Sequence, residues 1–167
     1  LQPISFMNRR AFLGTIGAGL LTTPQAFSSP TARKRLAIIT TEWRDHSHAW
    51  HMGTRFLVGY PINGEWHHPA FDVVTAYVDQ FPKGDLARRR SKEFGFPIYK
   101  TIAEALRCGG KKLAVDGVLI IGEHGDYAWN EKEQHMYPRC FFFEQVCGVF
   151  ATSGKSVPVF LSLIHIS

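Results

Sequence analysis

Cysteine is scarce and unpatterned in this chain. Only three occur among 167 residues, Cys108, Cys140 and Cys147, and no Cys-x-x-Cys pair is present. An odd count without paired spacing excludes a disulfide framework and a zinc ribbon, and leaves all three expected as buried, small apolar residues. Also missing from the body is an uncharged apolar run of the ~20 residues needed to span a bilayer. Basic residues exceed acidic ones, 19 against 14, but part of the excess is local. Setting Arg9 and Arg10 aside leaves 17 against 14, a net +3, with no Lys/Arg stripe interleaved with aromatics, so nucleic-acid binding is not indicated. The run Arg88-Arg89-Arg90 is expected on a solvated helix face. Finally, no glycine stands between Thr40 and Met52.

What is present begins with an export signal. Arg9-Arg10 precedes Ala11-Phe12-Leu13-Gly14, an uncharged stretch continues to Leu21, and Ala26-Phe27-Ser28 offers the small residues that a signal peptidase reads. This is the pattern of a twin-arginine signal over residues 7–28, which implies the twin-arginine translocation machinery as a partner and a periplasmic or extracellular destination, with no membrane attachment after cleavage. On that reading residues 1–6 are upstream translation. The final Leu161-Ser162-Leu163-Ile164-His165-Ile166-Ser167 resembles the translated end of a transposase sequencing adapter. Residues 29–160 are then expected to be the amino-terminal part of a longer protein.

Within that segment β and α signals alternate. Leu36–Thr41 is short, apolar and β-branched, as a buried parallel strand should be. Helical spacing follows over Ser47–Tyr60, then a turn-rich insertion over Pro61–Pro69 and a strand over Asp72–Val78. A helix capped by Asp85 and stopped at Gly95 precedes a short strand at Pro97–Tyr99. Thr101 and Glu104 form a capping box for a helix that Gly109-Gly110 ends. Val115–Gly122 is the most apolar strand, followed by a helix over Pro138–Ala151 and a fifth strand over Ser156–Phe160. This order predicts an α/β fold, a doubly wound parallel sheet of Rossmann-like type with about five strands.

In such sheets ligands bind at the carboxyl ends of the strands, beside the switch point. Two ionisable clusters are expected to meet there, Thr41–His51 and Gly122–Tyr127. One reading is acid and base catalysis, with His124 shuttling a proton and Glu123 or Asp126 orienting it. In a purely structural reading Asp126 and Tyr127 pack their loop and Glu123 pairs with Arg44. A second functional reading is a divalent metal held by His46 and His48, with His124, Glu42, Glu123 or Asp126 completing the shell. His51, His67 and His68 are expected at the surface. A third is dinucleotide binding, for which Asp79 stands where a ribose-binding acid would and Arg44 offers a phosphate contact, without the Gly-x-Gly-x-x-Gly turn.

The order of signals also carries a resemblance. Ala76-Tyr77-Val78-Asp79, Asp85-Leu86-Ala87-Arg88, Lys92-Glu93-Phe94-Gly95-Phe96-Pro97-Ile98-Tyr99, Ile102-Ala103-Glu104-Ala105-Leu106 and Val115–Ile121 together resemble the amino-terminal domain of the glucose-fructose oxidoreductase and inositol dehydrogenase family. The resemblance covers about a third of the chain. It implies an NAD(P)-dependent oxidoreductase acting on a sugar or polyol, with an α+β substrate domain beyond the Rossmann part. Under that implication Asp79 touches the adenosine ribose and His124 lines the nicotinamide side, while Thr41, Glu42, Arg44 and Gly122, at the strand exits, are expected to line the cofactor with them. A periplasmic ligand-binding module without catalysis and an oligomer stay open as alternatives.

Overall fold

A computed structural model describes residues 32–162. The expected signal and the upstream residues, like residues 163–167, lie outside the described residues. Lys34–Thr40 forms β1, and the chain then leaves the sheet for a π-helical turn, Ala49–Gly53, that runs into α1, Thr54–Val58. Ser47 starts this helix, because its hydroxyl accepts the backbone N–H of Trp50.

The expected turn-rich insertion holds a β-hairpin, β2 (Tyr60–Ile62) and β3 (Glu65–His67). Its two connecting residues, Asn63 and Gly64, have φ of 50° and 83°. Positive values at both central positions are what a tight two-residue hairpin turn needs.

β4 covers Phe71–Val78 and α2 covers Ala87–Phe94. The Asp85 carboxylate accepts the N–H of Ala87 at 3.0 Å, and Gly95 closes α2 in the left-handed region. β5 is Ile98–Tyr99 and α3 is Ile102–Arg107, with the Thr101 hydroxyl accepting from Glu104 N–H. α3 ends one residue before the glycine pair, at Cys108, which itself adopts φ 48°. β6 is Gly117–Ile121, α4 is Arg139–Ser153 and β7 is Val159–Ser162. β7 thus continues through Leu161 and Ser162, past the expected end of the fifth strand.

The five long-range strands form one parallel sheet in the order β5-β4-β1-β6-β7. From β1 the chain winds outward through β4 to β5, returns across the sheet, and winds the other way through β6 to β7. The reversal puts the switch point between β1 and β6. Alternating side chains build a core on each face. Leu36, Ile38, Leu119 and Ile121 pack with Ala49, Leu86 and Ala87 from the α1 and α2 side. Ala37, Ile39, Val118 and Ile120 pack with Leu106, Phe142 and Val146 from α3 and α4. All five residues of β6 are buried, as a strand covered on both faces requires. The fold is therefore the α/β, Rossmann-like sheet that the sequence predicts.

The cysteines depart from expectation: Cys140 and Cys147 are exposed on α4 and Cys108 is half-buried. α4 is apolar around most of its circumference, so Phe142 and Val146 take the core positions and leave the cysteines outside. No helix among the described residues is long and apolar enough to cross a membrane.

Candidate functional site

At the carboxyl ends of β1 and β6 the chain does not turn tightly. Beyond β1 it runs on, tied at each step: Asp79 N–H donates to Thr40 O, Gln80 N–H to Thr41 O at 2.7 Å, and Leu86 N–H to Trp43 O at 2.7 Å. The loop after β6 reaches across the end of β1. Thr41 Oγ1 donates to Glu123 O at 2.5 Å. Two bonds fasten the far end of the loop to the segment just after β4: Gln80 Oε1 accepts Asp126 N–H at 2.8 Å, and Gln80 Nε2 donates to Asp126 O at 3.0 Å. The Asp79 carboxylate accepts hydroxyl bonds from Tyr77 and Tyr127 at 2.5 and 2.7 Å. To make this crossing the backbone takes φ 68° at His124 and 107° at Gly125. A positive φ is uncommon at a residue with a side chain, and such strain clusters at functional loops.

The crossing loop carries Glu123, whose side chain is 1% exposed. His48 Nδ1 lies 3.6 Å from its Oε2, and Arg139 Nη1 lies 3.5 Å from its Oε1. A carboxylate removed from water needs such partners. The His124 ring stands edge-on to His48 with centroids 5.2 Å apart, and its Nε2 is buried without a hydrogen bond. Burial, reinforced by the charges of Arg44 and His48 and opposed by Glu42, holds its pKa below the usual histidine range. His48, Glu123, His124 and Arg139 therefore put one carboxylate, two imidazoles and one guanidinium around the switch point. Ser162 Oγ, at the end of β7, is 3.4 Å from His48 Nδ1.

Several expectations change here. Glu123 does not pair with Arg44, because Arg44 Nε reaches Glu42 Oε1, two residues away, at 2.5 Å. Asp126 is exposed and bonds through its backbone to Gln80, not to the His124 ring. His46 and His48 diverge: His46 packs against the rings of Trp50 and His51, while His48 faces His124. Among the described residues no group of three or more His, Cys, Asp or Glu is gathered as a metal site. His51, His67 and His68 are exposed, as expected.

The residues expected to line a dinucleotide are engaged elsewhere. A nicotinamide dinucleotide on this fold lays its pyrophosphate over a glycine-lined first turn and the helix N-terminus behind it. Here the Trp43 indole is buried beneath that turn, and a Cβ on Gly53 would fall 2.7 Å from it. Thr41 is bound to the β6 loop, Glu42 and Arg44 bind each other, and Asp79 holds two tyrosines. Gly122 has another use, since a Cβ there would come within 2.5 Å of Arg139 Cγ. The missing side chain lets Arg139 lie beside Glu123. The donor set thus does not fit a pyrophosphate.

Arg139 and Gln80 were not among the expected site residues. No protein-family model, curated protein or solved structure matches this chain.

Proposed function

We propose that this domain belongs to an exported enzyme that transfers protons on a sugar, using Glu123, His48 and His124 at the switch point. It shares the frame suspected from the glucose-fructose oxidoreductase and inositol dehydrogenase resemblance, with an acid and base centre where that family seats NAD(P). The observation that carries the reading is the buried Glu123 carboxylate between His48 and Arg139.

The chemistry that follows is proton abstraction beside the carbonyl of an open-chain sugar. Glu123 takes the C–H proton, and the electron pair moves through the new C–C double bond onto the carbonyl oxygen. The guanidinium of Arg139 stabilises the resulting enediolate. The imidazole of His124, uncharged at neutral pH, is suited to exchange a proton with a substrate oxygen, and His48 connects Glu123 to exchangeable protons. Isomerisation or epimerisation is the net outcome.

The test is deuterium incorporation. The full chain, incubated in deuterium oxide with a panel of aldoses and ketoses, is expected to label one sugar at the carbon next to its carbonyl. Glu123→Gln is expected to abolish labelling. Absence of labelling across the panel, or labelling untouched by that substitution, overturns the reading. Calorimetric binding of NAD or NADP at millimolar concentration would favour the oxidoreductase implied by the resemblance. Sugar binding without exchange would favour a non-catalytic module.

A further inference from the structure

Between the crossing loop and α4 the chain makes a second, rigid loop. Trp129 and His135 form an antiparallel bridge, Met136 N–H donates to Ala128 O, and Asn130 Oδ1 accepts the N–H groups of Lys132 and Gln134. The Asn130 and Gln134 side-chain amides bond each other at 3.0 Å. This bracing holds a row of rings: Trp129 packs on His135 at 3.7 Å, His135 stacks on Tyr137 at 5.0 Å, and Tyr137 meets Tyr127 at 5.9 Å. Although so firmly placed, Trp129 remains 63% exposed and Met136 59% exposed. The loop borders a cavity of about 660 Å³ whose lining includes Trp129, Glu133, Tyr137 and Arg139.

Arg139 is the link. It lines this cavity and also stands 3.5 Å from Glu123. A molecule in the cavity therefore lies across one guanidinium from the proton-transfer centre. The cavity combines flat aromatic faces with an amide, a carboxylate and a guanidinium of opposite charges. Aromatic faces receive the apolar C–H side of a sugar ring, and polar groups around them receive its hydroxyls. The mixed charge favours a neutral ring over an anion or a cation.

We propose that this cavity is a second sugar subsite, and that the substrate is a neutral disaccharide or longer glycoside. The reducing-end unit, in its open-chain form, occupies the Glu123 centre and the next ring stacks on the Trp129 wall. The proposal rests on the proton-transfer reading for the placement of the reducing-end unit, and adds a second subsite outside that centre.

The experiment uses the full chain, titrated with cellobiose, maltose and lactose, and with glucose and galactose, by calorimetry and tryptophan fluorescence. At least one disaccharide is expected to bind more tightly than its component monosaccharides and to change the emission. Trp129→Ala should weaken that disaccharide roughly 3- to 10-fold, the scale of one aromatic contact, and leave monosaccharide binding unchanged. Trp129→Phe should restore most of the loss. Trp129 is at the surface, so thermal melting of the variants should match the parent and exclude a folding effect.

The subsite is overturned if monosaccharides bind but disaccharides gain nothing, or if Trp129→Ala leaves the disaccharide unaffected. It is equally overturned if the parent self-associates in gel filtration and Trp129→Ala abolishes this, since the ring row is then a docking face. These outcomes leave deuterium labelling intact. Loss of labelling with a Trp129-dependent disaccharide preference retained would overturn only the proton-transfer reading.

Discussion

His48 and Glu123 approach to 3.6 Å from two segments that leave adjacent strands of the sheet. Neither is close to the other in sequence. Their meeting follows from the order of strands, because β1 and β6 are neighbours at the point where the winding reverses. Glu123→Gln keeps the shape and removes the charge, so the proton-transfer reading expects a fall of roughly 10²- to 10⁴-fold in the rate of substrate deuterium exchange. Thermal melting should remain cooperative. An exchange rate within twofold of the parent would exclude Glu123 as the base.

His124 sets an acid limit on stability. Burial, with Arg44 and His48 nearby, lowers its pKa in the folded protein from the ordinary 6.5. The unfolded chain therefore takes up a proton that the folded chain resists. Its contribution is intact above about pH 6.5 and is lost as pH falls through that value towards the lower folded pKa. His124→Asn tolerates the same left-handed backbone and removes the titration. Urea midpoints between pH 7.5 and 5 should decline less steeply in the variant, and equal slopes would place the acid sensitivity elsewhere.

Burial and Asp79 together raise two phenols. Burial, then the hydrogen bond and the charge of Asp79, push both Tyr77 and Tyr127 well above the ordinary value of 10. In an ultraviolet titration at alkaline pH their ionisation should be delayed, and Asp79→Asn should bring both downward. Tyr127→Phe should cost about 1 kcal/mol, a modest figure because Asp79 is itself exposed. Ionisation curves that coincide before and after Asp79→Asn would contradict the pairing.

Gly122→Ala tests the space beside Arg139. The added Cβ would fall 2.5 Å from Arg139 Cγ, a contact that requires the side chain to shift. Arg139 is 28% exposed at its side chain and has room to move outward. On the proton-transfer reading the expected effect is slower deuterium exchange, with little loss of stability in thermal melting. Gly53→Ala differs, because the Trp43 ring it meets is fully buried and cannot move away. There the melt should drop by about 1–3 kcal/mol. Equal stability losses in the two variants would refute this distinction.

The sheet was legible in the sequence because its signals are local. The apolar run through β6, the Asp85 and Thr101 caps and Gly95 each act within a few residues. The β2–β3 hairpin had an equally local sign, Asn63-Gly64, but hydrophobic alternation around it is weak. The site was legible only in outline. Glu123, His124 and His48 could be placed at strand exits, whereas Arg139 opens a helix after a long loop, and nothing near it announces a return to β6. Likewise, Arg44 chose Glu42 because a neighbour two residues away is available at almost no entropic cost. The engagement of Asp79 and Gln80 depends on where the β6 loop lands, which no spacing encodes.

That landing also governs timing. With Gln80 holding Asp126 by two hydrogen bonds, and Asp79 holding Tyr127, the crossing loop is latched over the end of β1. On the proton-transfer reading, a sugar that reaches the buried Glu123 carboxylate waits for the latch to release, so its association is expected to be paced by an internal opening step and not by encounter. Removing the amide of Gln80 should quicken entry and shorten residence together, turning a slow, deep binder into a fast and leaky one.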